Sequence, residues 1–127
     1  MPKRTAKDSR FHRLTEIAKT FPETSCEVLG SHASFKVRKK VFAYFLNDHH
    51  GDGIVAIACK VLPGENAGLA AAQPKRYYMP AYIGPRGWVA LRLDLAKIDW
   101  KEVRELLLGS YLLAAPKKLV ALVKIPT

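Results

Sequence analysis

The sequence predicts a two-layer α+β fold: a mainly antiparallel sheet with helices packed on one face. Three observations predict it. Apolar residues switch between a helical and a strand period in the order helix, strands, helix, strands, helix. The joins between successive strands are short, which antiparallel pairing permits and parallel crossovers do not. The chain of 127 residues, 49% of them hydrophobic, carries no internal repeat and no linker-like boundary. It therefore reads as a basic tail, 1–7, followed by one domain, 8–127.

The first helix is expected over Asp8–Thr20, where Phe11, Leu14, Ile17, Ala18 and Phe21 fall at helical spacing. Asp8 or Ser9 supplies a capping oxygen, and Pro22 stops the helix. An extended piece around Cys26–Leu29 precedes three strands: Ser34–Arg38, Val41–Leu46 and Ile54–Cys59. The last two are apolar on both faces. Arg38-Lys39-Lys40 reads as a tight connection, and 47–53, with its Asn, Asp and glycines, as a loop. Glu65–Gln73 is a short alanine-rich helix that Pro74 closes. Tyr77–Ile83 reads as extended, with Pro80 placing it at an edge. Gly84-Pro85-Arg86-Gly87 is a turn and Trp88–Leu93 a strand. A final helix opens at Asp99, with Glu102 positioned for a capping box and Val103, Leu106 and Leu107 facing the core. Gly109 is expected to end or bend it, with the Ser110 and Tyr111 hydroxyls locking that bend. Leu119–Val123 forms a last turn or two.

Several strings in this order resemble the MmcQ/YjbR family. They are Phe21-Pro22-Glu23-Thr24, then Ser34-Phe35-Lys36-Val37 and Lys40-Val41-Phe42-Ala43. Pro80-Ala81-Tyr82-Ile83-Gly84 with Gly87-Trp88-Val89 follows, and Asp99-Trp100, Ser110-Tyr111-x-Leu113 and Pro116-Lys117-Lys118 close the match. The resemblance covers about Phe11 to Lys118. It implies an antiparallel sheet packed with helices, sometimes described as a double wing, and the description DNA-binding. It implies no catalytic residues. One departure stands out: relatives commonly carry glycine in the turn after Phe35-Lys36-Val37, where this chain has Arg38-Lys39.

Charge is the strongest functional signal. Lys+Arg number 21 against Asp+Glu 11, a formal net charge of +10. Such a balance attracts nucleic acid, anionic membrane or acidic protein. No stretch approaches the roughly 18 apolar residues of a membrane span, and the basic start leads into no apolar run. The expected compartment is the cytoplasm, with Cys26 and Cys59 free and buried.

Catalytic patterns are weak. His49-His50-x-Asp52 lacks the converging ligands of a metal site. Cys26 with His32 is the sole short-range nucleophile–base pair to consider, and nothing in the sequence activates it. Ser110 lacks a nucleophile elbow, and no glycine-rich loop opens a helix. No enzyme activity and no cofactor are expected. A ligand pocket around Tyr82, Trp88 and Tyr111 is the arrangement that would argue otherwise.

The basic residues gather in three places: the tail with the first helix (Lys3, Arg4, Lys7, Arg10, Arg13), the hairpin tip, and the stretch from Lys75 to Arg86. The expected function is a non-catalytic binding domain that grips DNA or RNA phosphates through Arg38, Lys39, Lys40, Lys75, Arg76 and Arg86. Tyr77, Tyr78 and Trp88 would stack on bases if exposed, and otherwise pack in the core or at its rim. The alternative is a protein-interaction or chaperone-like module, in which a spare apolar sheet face forms a self-dimer or holds an acidic partner.

Overall fold

The computed structural model describes residues 5–48 and 51–123. In chain order the elements are α1 (Ser9–Ala18), β1 (Thr24–Leu29), β2 (His32–Val37), β3 (Lys40–Asn47), β4 (Val55–Lys60), α2 (Glu65–Ala72), β5 (Tyr77–Tyr78), β6 (Trp88–Arg92), α3 (Trp100–Ala114) and α4 (Lys117–Val120). The strands form a six-stranded sheet in the order β1-β2-β3-β4-β6-β5, with every pairing antiparallel. The expected α+β architecture is what the chain adopts.

Side chains alternate across the sheet, so the register decides which residues share a face. On one face Ala33, Phe35, Ala43, Phe45, Ile57, Cys59, Val89 and Leu91 build the main core. Phe11 and Leu14 of α1 join it, as do Val103, Leu107 and Tyr111 of α3 and Leu119 of α4. Leu69 of α2 packs against its rim. The helices thus cover a single face, and α1 begins as its sequence dictates: the Asp8 carboxylate accepts from the Arg10 N–H at 2.8 Å. Thr5 is buried, and its carbonyl accepts from the Asp8 N–H. Lys3 and Arg4 of the expected tail lie outside the described residues, as do His49 and His50.

Between β2 and β3 the register shifts: Phe35 faces Ala43, but Lys36 faces Val41. Phe42 is the extra residue of this bulge, and it turns into the main core beside Ala43. At the tip of the same hairpin Arg38 adopts φ 54°, a left-handed conformation that glycine takes without strain. Here the turn is held instead by contacts from Glu23. Its carbonyl accepts from the Arg38 N–H at 3.2 Å, and its carboxylate meets the guanidinium at 3.2 and 3.4 Å.

Several expectations need correction. The segment Tyr77–Ile83 is extended over Tyr77–Tyr78 alone. Pro80 has no N–H to give a ladder, and the chain turns over itself: the Gly84 N–H donates to the Pro80 carbonyl at 2.9 Å, leading into a 3-10 turn at Gly84–Arg86. Glu102 completes no capping box. Asp99 caps α3 through the Lys101 and Glu102 N–H groups, while the Glu102 carboxylate bonds Arg76 and accepts from the Tyr77 hydroxyl at 2.8 Å. That clamp ties β5 to α3.

Gly109 neither ends α3 nor breaks it; the helix continues to Ala114. Tertiary packing of Val103, Leu107, Ser110 and Tyr111 outweighs the low propensity of one glycine. Gly109 is exposed, and a Cβ there would meet nothing within 4 Å. Gly109→Ala is therefore expected to stabilise the fold by about 0.5–1 kcal/mol, read as a higher urea midpoint with an unchanged slope.

Candidate functional site

The register also sorts the cations by end of the sheet. At one end lies the Arg38-Lys39 turn, with Lys40 opening β3 and Lys60 closing β4. Lys60 faces Trp88, and the Val61 N–H donates to the Gly87 carbonyl at 3.0 Å, which places Arg86 at this same end. The α3 C-terminus arrives here too: Lys40, Lys60, Trp88, Ser110 and Ala114 line one small hollow. Lys117 and Lys118 follow directly and are exposed. Among the described residues Lys39, Lys40, Lys60 and Arg86 take part in no ion pair, whereas Arg38 holds Glu23. Glu65 and Glu105 line a neighbouring recess with Lys60.

Lys75 and Arg76 go to the other end. β5 runs antiparallel to β6, with Tyr77 opposite Leu91, and the Arg92 N–H donates to the Arg76 carbonyl at 2.8 Å. The length of β6 separates them from Arg86, roughly 13 Å at the usual strand rise. Arg76 is moreover committed to Gln73 and Glu102, with its guanidinium over the Tyr77 ring at 5.8 Å. Of the six cations singled out in the sequence, the structure brings together Arg38, Lys39, Lys40 and Arg86 and leaves Lys75 and Arg76 apart. Lys60 joins the group, which its position in the sequence, at the end of an apolar strand, did not reveal.

The aromatic residues divide by face. Tyr77 points into the main core. Tyr78 and Trp88 lie on the opposite, outer face, which carries Ala56, Ala58 and Ala90 with Val41, Tyr44, Leu46, Ile54 and Ile83 around them. This is the second apolar face seen in the sequence of β3 and β4. The segment after β5 folds over part of it, and the uncovered remainder is a hollow of about 430 Å³ walled by Tyr44, Leu46, Ile54, Tyr78 and residues 79–83. Tyr82 lines this hollow. Trp88 sits beside it, its ring 5.3 Å from that of Tyr44. Tyr111 lies under the other face, in the main core, so the grouping Tyr82/Trp88/Tyr111 does not form. Burial pushes the Tyr78 phenol up to about 12, so its hydroxyl keeps its proton.

The chemical alternatives fare poorly on geometry. Cys26 stands opposite Phe35 and hence on the core side of β1, while His32 stands opposite Leu46 on the outer side. The sheet separates that pair. Cys26 is exposed rather than buried, because β1 is an edge strand of the sheet; what burial it has pushes its thiol up to about 11. Cys59 is buried as expected, and its thiol is pushed up as well. Among the described residues no group of His, Cys, Asp and Glu is placed to hold a metal, and no helix is long and apolar enough to cross a membrane.

Comparison with known proteins bears on this arrangement. The family model described as YjbR matches residues 19–113, well over half of the chain. The chain belongs to the YjbR family. Among solved structures it is similar to the crystal structure of the Deinococcus radiodurans protein DR2400, described as carrying the domain DUF419. The TM-score is 0.66 at 23% identity, over 89% of this chain and 86% of that one. At that identity the likeness is one of fold. No curated protein matches. YjbR membership accounts for the antiparallel sheet and its helical layer and specifies no reaction. In this YjbR chain the hairpin turn at the cationic end carries Arg38 and Lys39.

Proposed function

We propose that this YjbR chain is a non-catalytic binding domain that holds nucleic acid by its phosphates, through Lys39, Lys40, Lys60 and Arg86, with Arg38 beside them. One observation carries the reading. Cations from the β2–β3 turn, the end of β4 and the 3-10 turn converge on one end of the sheet, exposed and without ion-pair partners among the described residues. Exposed ammonium and guanidinium groups on turns reach phosphates without distorting the sheet, and they read charge rather than sequence. Lys117 and Lys118 extend the surface. Lys75, at the far end, would add only a distant contact. The alternative, a partner held on the outer sheet face, now has a bounded hollow to work with in place of an open apolar sheet.

The test is fluorescence anisotropy with short labelled single-stranded DNA, duplex DNA and RNA at two salt concentrations. Affinity is expected to fall steeply with salt. Lys39→Ala combined with Arg86→Ala is expected to lower the log–log salt slope by about 1.5, from roughly 0.7–0.9 per phosphate contact. Lys75→Ala should leave it nearly unchanged. Absence of binding at low salt would overturn the proposal.

A further inference from the structure

The hollow on the outer sheet face has its own chemistry. Its volume of about 430 Å³ falls among small-molecule sites, roughly 300–1,000 Å³. Three tyrosine rings, those of Tyr44, Tyr78 and Tyr82, line it together with Met79 and Pro80. Flat π surfaces of this kind favour a flat ring over a branched or flexible chain. Among the described residues no lysine or arginine lines it, so an anionic group would find no lysine or arginine counter-charge there. Its polar edge is mixed: Asp52 offers an acceptor and Tyr78 a hydroxyl that keeps its proton. A neutral ring edged with both donors and acceptors fits that set.

Two further features bear on what carries the ring. Tyr82 is 85% exposed at the hollow's mouth and holds φ 70°. A bulky L-residue in the left-handed region is uncommon and clusters at ligand clamps. The wall that holds Tyr82 runs straight on through Ile83 into the 3-10 turn ending at Arg86. Most of the hollow's wall (His32, Leu46, Asp52, Ile54) stands toward the opposite end of the sheet from Lys40 and Lys60, so the segment from Tyr82 to Arg86 is what links the ring site to the cationic end, and the chain as a whole carries a charge of +10. A neutral ring borne on a polyanionic backbone satisfies both.

We infer that the hollow takes an unpaired heteroaromatic base, stacked against Tyr82 and edged by Tyr78 and Asp52, as presented by a single-stranded nucleic acid. The oligonucleotide source rests on the proposed phosphate grip; the affinity for the ring itself does not. A paired base in a duplex shows its faces only to its stacked neighbours and is excluded.

The probe is 2-aminopurine, whose fluorescence is quenched on stacking. It is used as the free riboside, within a short oligothymidine, and within the matching duplex. The riboside and the single strand are expected to be quenched by the protein, and the duplex is not. Tyr82→Ala should abolish the quench and weaken single-strand binding roughly tenfold, the usual effect of removing one stacking platform; Tyr82→Trp should restore both. Circular dichroism confirms the fold of each variant. Lys39→Ala with Arg86→Ala should weaken the oligonucleotide and leave the riboside unchanged. If anisotropy shows the oligonucleotide bound while 2-aminopurine stays bright, or if Tyr82→Ala changes nothing, the ring site is overturned and the phosphate grip stands. Quenching of the riboside without oligonucleotide binding does the reverse.

Discussion

Tyr111→Ala is expected to cost about 4 kcal/mol of folding free energy, in the range for deleting a buried aromatic ring, measured by urea denaturation at neutral pH. The ring is fully buried. Phe42 meets it edge-on at 5.5 Å and Phe21 lies tilted at 5.2 Å. Alanine would leave a cavity among three elements, since Tyr111 is on α3, Phe42 at the bulge of β3 and Phe21 just after α1. The hydroxyl adds a separate contribution by donating to the Pro22 carbonyl at 2.7 Å. Tyr111→Phe keeps the packing and removes that bond, so it should cost about 1 kcal/mol. A Tyr111→Ala loss near that of Tyr111→Phe would show that the ring is not holding α3 to the sheet. Against a total stability of roughly 5–15 kcal/mol, such a loss is a large fraction of what holds the fold.

Ser110→Ala removes only an oxygen, yet about 3 kcal/mol is expected to go with it. The hydroxyl donates to the Phe42 carbonyl at 2.5 Å and accepts from the Lys60 N–H at 2.9 Å, and the side chain is buried. Both backbone groups lie where the sheet ladder fails them: Phe42 is the extra residue of the bulge, and Lys60 ends β4. Alanine strands a carbonyl and an N–H in low dielectric, at about 1–3 kcal/mol each. A serine exposed on a helix would lose within about 0.5 kcal/mol, so the size of the loss separates the two cases. Amide exchange gives a second reading, because the Lys60 N–H should exchange faster in Ser110→Ala than in the parent. Ser110 and Tyr111 share Phe42, so their double variant should fall short of or exceed the sum of the singles.

Both residues were visible as the adjacent pair Ser110-Tyr111 after Gly109, and both were given the wrong role. A hydroxyl next to a helical glycine suggested a local lock on a bend. Its partners are instead 68 and 89 residues away, at Phe42 and Pro22. Local capping was legible at Asp8 and Asp99, because a cap bonds its own first turn. Glu102 had the right spacing for a capping box but found Arg76 and Tyr77, a stronger pair brought to it by β5. Pro80 signalled an irregular edge and did not signal that the chain would turn back over Ala56, Ala58 and Ala90. The alanines were read as apolar strand positions; they are fully buried, with Tyr44, Tyr78 and Ile83 packed around them.

The sequence by itself determined the α+β class, the order of elements, the hairpin at Arg38–Lys39 and the excess of positive charge. These follow from periods, caps and turns that act within a few residues. Tertiary structure alone decided that Lys60 joins Arg38, Lys39, Lys40 and Arg86 while Arg76 is spent on Glu102, and that Tyr82 stands over a hollow while Tyr111 is buried beneath the opposite face. Antiparallel register is the reason. It assigns each side chain an end and a face through partners distant in the chain, and no local pattern carries that information.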